Sequence, residues 1–394
     1  MQPSDFKENK YGQLIKGPQG HWAFVPPPLP PPIKLPLALV RQLSEADRAV
    51  SELAGIARTL PNPHLLIDPF IRREAVLSSR IEGTQASFSD LVFFEAARAK
   101  EKEVPDVREV SNYVKALEYG LGRLNELPVS LRLIREIHAI LLEGVRGKSQ
   151  TPGEFRRSQN WIGPPGCKLM DATYVPPPVD EMHSGLDRFE KYIHSDFDLP
   201  PLIRLSLIHY QFEAIHPFLD GNGRIGRLIV TLLLCAEGLL PQPLLYLSAF
   251  FERTRDEYYR RLLAVSQYGK WQDWILYFLQ GVASQARDAI YRSSRLLGLW
   301  HKYRASLQEA RASALILQLV DELFSYPAIT NALAAHTLSI TPRSAQLNID
   351  KLQKAHILIE ATGRSRNRVY IAPEIISIIE NPDLPADEDG TIIN

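Results

Sequence analysis

Residues 216–227 read HPFLDGNGRIGR, from His216 to Arg227. The apolar run Leu199–Ile215 ahead of them is an amphipathic helix that Pro217 stops, which puts His216 at a helix end. Gly221, Asn222 and Gly223 tolerate positive φ, so successive backbone N–H groups can converge into an anion-binding nest. A second helix starts near Arg224, and its N-terminus adds free N–H donors and partial positive charge. Arg224 and Arg227, three residues apart on that helix, can both lean toward the loop. A nest, a helix N-terminus and two arginines make a polyphosphate site. Asp220 beside them is the hard oxygen ligand that a phosphate-bound Mg²⁺ requires, and His216 is a candidate general base at the rim.

Other readings of the same residues fail. A P-loop needs GxxxxGK[ST], and the string has no lysine. An EF-hand loop needs an oxygen ligand at position five and glycine at six, where Arg224 and Ile225 stand. His209 and His216, seven apart on one helix, lack an evident third zinc ligand.

At every fixed position the string resembles HxFx(D/E)GNGRxxR, the signature of the Fic (filamentation induced by cAMP) family. The resemblance implies a mainly α-helical core with a short β-hairpin flap. It implies transfer of AMP from ATP, with Mg²⁺, to a Ser, Thr or Tyr hydroxyl of a protein, the protein itself included, with pyrophosphate leaving. By position, His216 would deprotonate the hydroxyl and Asp220 would hold Mg²⁺. Gly221, Asn222 and Gly223 would form the anion hole, Arg224 would bind the α/β-phosphates and Arg227 the γ-phosphate, with Ile225 and Gly226 completing the nucleotide-binding run. The motif does not separate AMP transfer from UMP transfer or AMP removal, and a nucleotide-sensing DNA-binding regulator stands as the alternative.

A helix predicted over Pro69–Glu82, with Asp68 as N-cap, Pro69 at N1 and Gly83 at C′, ends in Ser78-Ser79-Arg80-Ile81-Glu82-Gly83. A glutamate at a helix C-terminus opposes the dipole, so Glu82 should have a partner elsewhere. Ser78, Glu82 and Gly83 resemble the Fic inhibitory motif (S/T)xxxE(G/N) in the class whose inhibitory helix precedes the core. That resemblance implies that Glu82 pairs with Arg227 and keeps it from the γ-phosphate.

Residues 151–178 are rich in Gly, Pro and aromatics and read as a loop with a hairpin near Ala172–Val175. They resemble the family's flap, with Trp161, Thr173 and Tyr174 as residues that would align an extended target segment. Residues 245–265, LYLSAFFERTRDEYYRRLLAV, also resemble the family, and Tyr258 or Tyr259 would line an adenine pocket unless both simply pack in the core.

The remaining sequence frames this core. Its 394 residues suggest two or three domains at about 100–200 residues each. The prolines of VPPPLPPPIKLP, residues 25–36, impose an extended strap, with Leu29, Ile33 and Leu35 as apolar anchors. Near the end, three helices (Ala312–Phe324, Ile329–His336, Thr341–Lys354) and strands at Ile357–Glu360 and Arg368–Ile371 form a winged-helix pattern, with Arg364, Arg366 and Arg368 in the wing. Residues 311–380 hold seven Lys/Arg against six Asp/Glu, a balance that favours protein docking or dimerisation over DNA. The fold class is therefore mainly α: an N-terminal region over 1–110, a catalytic core over 111–296, a linker helix with a small α+β winged helix over 297–380, and a disordered acidic tail over 381–394. Forty-five basic and 45 acidic residues give net charge zero and exclude a chain that is cationic throughout. Two cysteines make no disulfide framework, and the absence of a signal segment or membrane span points to the cytoplasm.

Overall fold

The structure is a computed structural model that describes residues 1–6, 12–60, 62–97, 105–145, 150–196 and 199–381. Strands β1 (Gln13–Lys16) and β2 (Trp22–Val25) form an antiparallel hairpin with Gln13 opposite Val25. The sequence reading did not anticipate it, because four-residue strands give too short an alternation to register. The proline-rich segment then runs as a strap over the core. Gln211 Nε2 donates to the Pro27 carbonyl at 3.0 Å, and Gln272 Nε2 donates to the Lys34 carbonyl at 3.0 Å. Leu29 and Ile33 pack inward as expected, whereas Leu35 is exposed.

Helices α1 (Leu37–Thr59), α2 (His64–Ile81), α3 (Phe88–Ala97), α4 (Pro105–Arg123) and α5 (Leu131–Leu141) follow. The start of α2 corrects the sequence reading: Asp68 is not its N-cap, and Pro69 lies inside the helix. Asn62 Oδ1 accepts the His64 N–H at 3.1 Å, so the Asn62-Pro63 pair supplies the entry that Asp68-Pro69 was expected to give. The C-terminal end agrees with expectation, with Gly83 at φ +97°.

Helices α6 (Val179–Ile193), α7 (Pro201–Ile215) and α8 (Asn222–Ala236) form the centre. Residues of α7 and α8 are buried on nearly every face, so α7 is not the amphipathic helix expected but a central one, apolar all round. Two helices follow, α9 (Ser248–Arg253) and α10 (Arg255–Tyr268). The break is at Thr254, whose hydroxyl donates back to the Phe250 carbonyl at 2.7 Å. Helix α11 (Trp271–Glu309) is continuous over 39 residues, about 58 Å. It carries α1 along one side and passes through the expected domain boundary at 296/297, so core and C-terminal region share it. The 110/111 boundary likewise falls inside α4.

The C-terminal region runs α12 (Ala314–Ser325), β3 (Ala328–Thr330), α13 (Asn331–Thr337), α14 (Pro342–Lys354), β4 (Ile359–Glu360), β5 (Val369–Ile371) and α15 (Pro373–Glu380). Its antiparallel sheet has the order β3-β5-β4, adding one strand to the two expected. Thr330 and Thr341 cap α13 and α14 through their side chains. Both α12 and α15 rest on α2. Arg72 of α2 bonds Glu95 at 2.6 Å and lies 4.4 Å from the centre of the Tyr326 ring, while the Ser325 hydroxyl donates to the His64 carbonyl. Helix α2 is thereby held between the core and the C-terminal region. The tail reading falls on residues 382–394, outside the described residues.

Candidate active site

The 216–227 string joins α7 to α8 as a tight loop. His216 caps α7 in the left-handed region at φ 50°, uncommon for a non-glycine residue. The surroundings impose this conformation: its N–H donates to the Phe212 carbonyl, and its own carbonyl accepts from Arg156 Nε at 3.0 Å and Asn160 Nδ2 at 3.2 Å. His216 Nδ1 faces the Glu213 carbonyl at 3.2 Å, which fixes the tautomer with the proton on Nδ1 and leaves Nε2 as the acceptor. Burial, reinforced by the charge of Arg156, lowers the His216 pKa to about 4, so the ring is neutral at pH 7.

Asn222 closes the loop on itself: its Oδ1 accepts from the Phe218 N–H and its Nδ2 donates to the Phe218 carbonyl, both at 2.8 Å. Gly221 sits at φ +79° as the N-cap of α8, and no side chain caps that helix. Asp220 Oδ1 accepts the Gly221 N–H at 2.6 Å. Arg224, 2% exposed, lies between Asp220 Oδ1 at 3.4 Å and Glu109 Oε2 at 3.6 Å. Its Nε and Nη1, together with Arg227 Nη1, are buried without a hydrogen-bond partner. Buried guanidinium donors in that state cost free energy and are suited to a polyanion such as a nucleotide phosphate chain.

Glu82 lies in this cluster. Arg227 Nη2 donates to Glu82 Oε1 at 2.8 Å, Arg227 Nε to the Ser78 hydroxyl at 2.8 Å, and Nη2 also to the Ser78 carbonyl at 2.9 Å. Helix α2 thus holds Arg227 with two residues four apart on one face. The carboxylate rests on the first turn of α8: a Cβ on Gly223 would come within 2.3 Å of Glu82 Oε1, so only glycine admits it. Burial raises the Glu82 pKa, but the charge of Arg227 and its hydrogen bond outweigh burial and hold the group below its ordinary value.

Sequence reasoning passed over five residues of this site. Glu109 of α4 flanks Arg224, and His138 of α5 places its Nε2 3.0 Å from the Asp220 carbonyl while its ring stacks on Phe218 at 3.7 Å. Arg156 and Asn160 hold the His216 backbone. Glu213 Oε1 lies against Gly226, and burial, with Glu82 adding to it, raises its pKa to about 8. A signal existed for some of them. His138 falls on the apolar stripe Ile134, Ile137, Leu141, and Glu109 shares a face with Tyr113 and Leu117, places where a polar residue needs a reason.

The flap is sparser than expected. Only Ile162 and Tyr174 form a bridge, and the hairpin is not extended into strands. Trp161 and Thr173 are exposed, with Trp161 Nε1 donating to the Cys167 carbonyl. Tyr174 is not: its hydroxyl donates to the buried Ala214 carbonyl, making it the anchor of the flap rather than its contact surface. Tyr258 needs a similar correction. It is 1% exposed, bonded to His209 at 2.8 Å and stacked on Phe251, so it packs the core. Tyr259 is exposed, and its hydroxyl reaches the Ile81 carbonyl beside Glu82.

The Fic/DOC family N-terminal model matches residues 40–122, and the Fic/DOC family model matches residues 128–234. The chain carries a Fic/DOC N-terminal domain and a Fic domain. Over 146 residues this Fic chain is 30% identical to the protein adenylyltransferase Fic of Drosophila willistoni, covering 36% of this chain and 26% of that protein. It is 31% identical to the Drosophila virilis protein of the same name over 146 residues, 36% of this chain and 27% of that one. The match therefore spans about a quarter of the length of these relatives. The crystal structure of a Fic family protein from Desulfovibrio desulfuricans G20 superimposes with a TM-score of 0.57 over 87% of this chain and 98% of that one; at 17% identity the likeness is one of fold. No described helix is long and apolar enough to cross a membrane.

Proposed function

We propose that this Fic protein is a self-inhibited protein adenylyltransferase that moves AMP from ATP to a protein hydroxyl. The carrying observation is the Glu82 carboxylate on Arg227, seated over the first turn of α8 where a phosphate would lie. An acid held on an anion site by the site's own arginine is a competitive occupant.

With Glu82 displaced, Arg227 and the unpartnered donors of Arg224 would bind the triphosphate, and the N–H groups at the start of α8 would face it. Mg²⁺ would bind Asp220 and supply charge neutralisation between the phosphates. Asp220, its side chain 34% exposed beside the loop, is the hard oxygen donor that a phosphate-bound Mg²⁺ takes. His216 Nε2 takes the proton of the target hydroxyl as that oxygen bonds the α-phosphorus. The bond from the α-phosphorus to the bridging oxygen of pyrophosphate breaks, and pyrophosphate leaves. Thr173 and Trp161 on the exposed side of the flap are the candidates for holding the target segment.

The test is mass spectrometry of the Glu82→Gly protein after incubation with ATP or UTP. An AMP adduct on protein is expected with ATP. A UMP adduct alone, or no adduct with either nucleotide, overturns the assignment.

A further inference from the structure

The near-neutral charge of residues 311–380 hides a separation that the fold makes visible. The acids are engaged or turned inward. Asp321 bonds Arg304 at 2.7 Å and Trp300 at 2.6 Å on α11, and Glu374 pairs with Lys302 at 3.5 Å. Glu380 accepts the Ser89 N–H of α3, and Glu322 faces α3 alongside Tyr326. Glu360 folds onto its own turn, accepting the Thr362 N–H at 2.8 Å, and Asp350 accepts from Gln346.

The bases lie elsewhere. Helix α14 buries Ala345, Asn348, Ile349 and Leu352 and exposes Arg343, Leu347, Lys351 and Lys354 as one stripe with helical spacing. The turn between β4 and β5 exposes Arg364, Arg366 and Arg368. The two basic segments are joined rigidly: Gln346 Nε2 of α14 donates to the Tyr370 hydroxyl of β5 at 3.1 Å, and Asn331 Nδ2 of α13 donates to Gln346 Oε1 at 3.0 Å. Six exposed cations therefore stand on α14 and the β4–β5 turn, while the one acid of α14, the part-buried Asp350, is engaged by Gln346.

We infer that this surface binds duplex DNA, with α14 in the major groove and the β4–β5 turn on the phosphates. A single helix fits a major groove about 12 Å wide. Leu347, 57% exposed in the middle of the stripe, has no partner in the fold and suits a thymine methyl group. Arg343 in the first turn of α14 is placed to reach a base edge, while Lys351, Lys354 and the turn arginines reach backbone. A protein partner is the competing occupant, but a surface of long charged side chains around one apolar residue lacks the aromatic anchors of a protein interface. The inference stands independently of the transfer chemistry.

The test is fluorescence anisotropy of the full chain with a mixed-sequence duplex about three helical turns long, titrated across salt concentrations. Five phosphate contacts predict a slope of log affinity against log salt of about −4.5. The triple variant Arg364→Ala/Arg366→Ala/Arg368→Ala should flatten the slope by about 3, and Arg343→Ala/Leu347→Ala should lower affinity at least about tenfold while leaving the slope nearly unchanged. All five side chains are exposed, so thermal melting and AMP transfer by these variants should match the parent. Failure to bind duplex at low salt overturns the inference. So does duplex binding that both variants leave unchanged, or equal affinity for polyglutamate, which would mark a general polyanion or acidic-protein surface.

Discussion

Replacing Glu82 with glycine removes the carboxylate from Arg227 and leaves the guanidinium to the nucleotide. The contact is one charge-assisted hydrogen bond of 2.8 Å, between an arginine side chain 2% exposed and a glutamate side chain 32% exposed. Hydrogen bonds to charged groups contribute about 1.5–3 kcal/mol, or roughly 10- to 150-fold in an equilibrium. If ATP binds productively only when Glu82 has left, its apparent affinity in the parent is reduced by the fraction of open molecules, and the variant recovers that factor. Ser78 still holds Arg227 through two bonds, so the arginine should keep its place. Initial rates of labelled AMP incorporation at ATP concentrations below KM should therefore rise by about one to two orders of magnitude. A rise in kcat/KM of less than about threefold, with the variant folded, would refute the view that Glu82 competes with the nucleotide.

Other consequences follow from the same geometry. His216→Ala in the Glu82→Gly background should bind ATP with unchanged affinity by calorimetry and lose transfer; strong residual transfer would remove His216 from the base role. The pH profile of kcat/KM for the Glu82→Gly protein should fall on the acid side only as pH drops toward about 4, because the neutral ring is the base and burial has lowered its pKa; an acid limb centred at 6.5 or above contradicts this. Glu74 is buried on the Ser78 face of α2, and burial raises its pKa to about 7 although Ser248 and Tyr113 donate to it. The native state therefore binds a proton that the unfolded chain releases near 4.5, so stability should fall as pH rises from about 4.5 to 7. Glu74→Gln should reduce that fall by about 1–3 kcal/mol in denaturant titrations, and an unchanged pH dependence would contradict it. Arg72→Ala, which breaks the Glu95 pair and the Tyr326 contact behind α2, should cost about 3 kcal/mol of stability by chemical denaturation; a loss under about 1 kcal/mol would show that the contact does not brace α2.

The parts of the site legible in the sequence are those confined to one short segment. The loop 216–227 carries its own glycines, helix start and arginines, so spacing alone placed them. The Glu82–Arg227 contact spans 145 positions and is reached through a second motif, not through any local rule. Glu109, His138, Arg156 and Asn160 act across helices, and nothing in their own neighbourhoods says which loop they face. Local chemistry also misled. Asp68-Pro69 has the form of a helix start, but Asn62-Pro63 upstream has it too and wins because α2 packs along its whole length. Tyr258 and Tyr259 are neighbours of one residue type, and only the packing of α10 decides that one is core and the other surface. Net charge was the weakest guide: a count near zero over 311–380 does not say that the bases of α14 and of the β4–β5 turn stand exposed while most of the acids are paired.

On this reading a working transferase lies beneath the Glu82 contact. The most direct test is intact-mass analysis of the Glu82→Gly and Glu82→Gly/His216→Ala proteins incubated side by side with ATP and Mg²⁺. AMP adducts are expected on the first protein and none on the second. Equal adducts on both, or none on the first while calorimetry shows that it binds ATP, would contradict it.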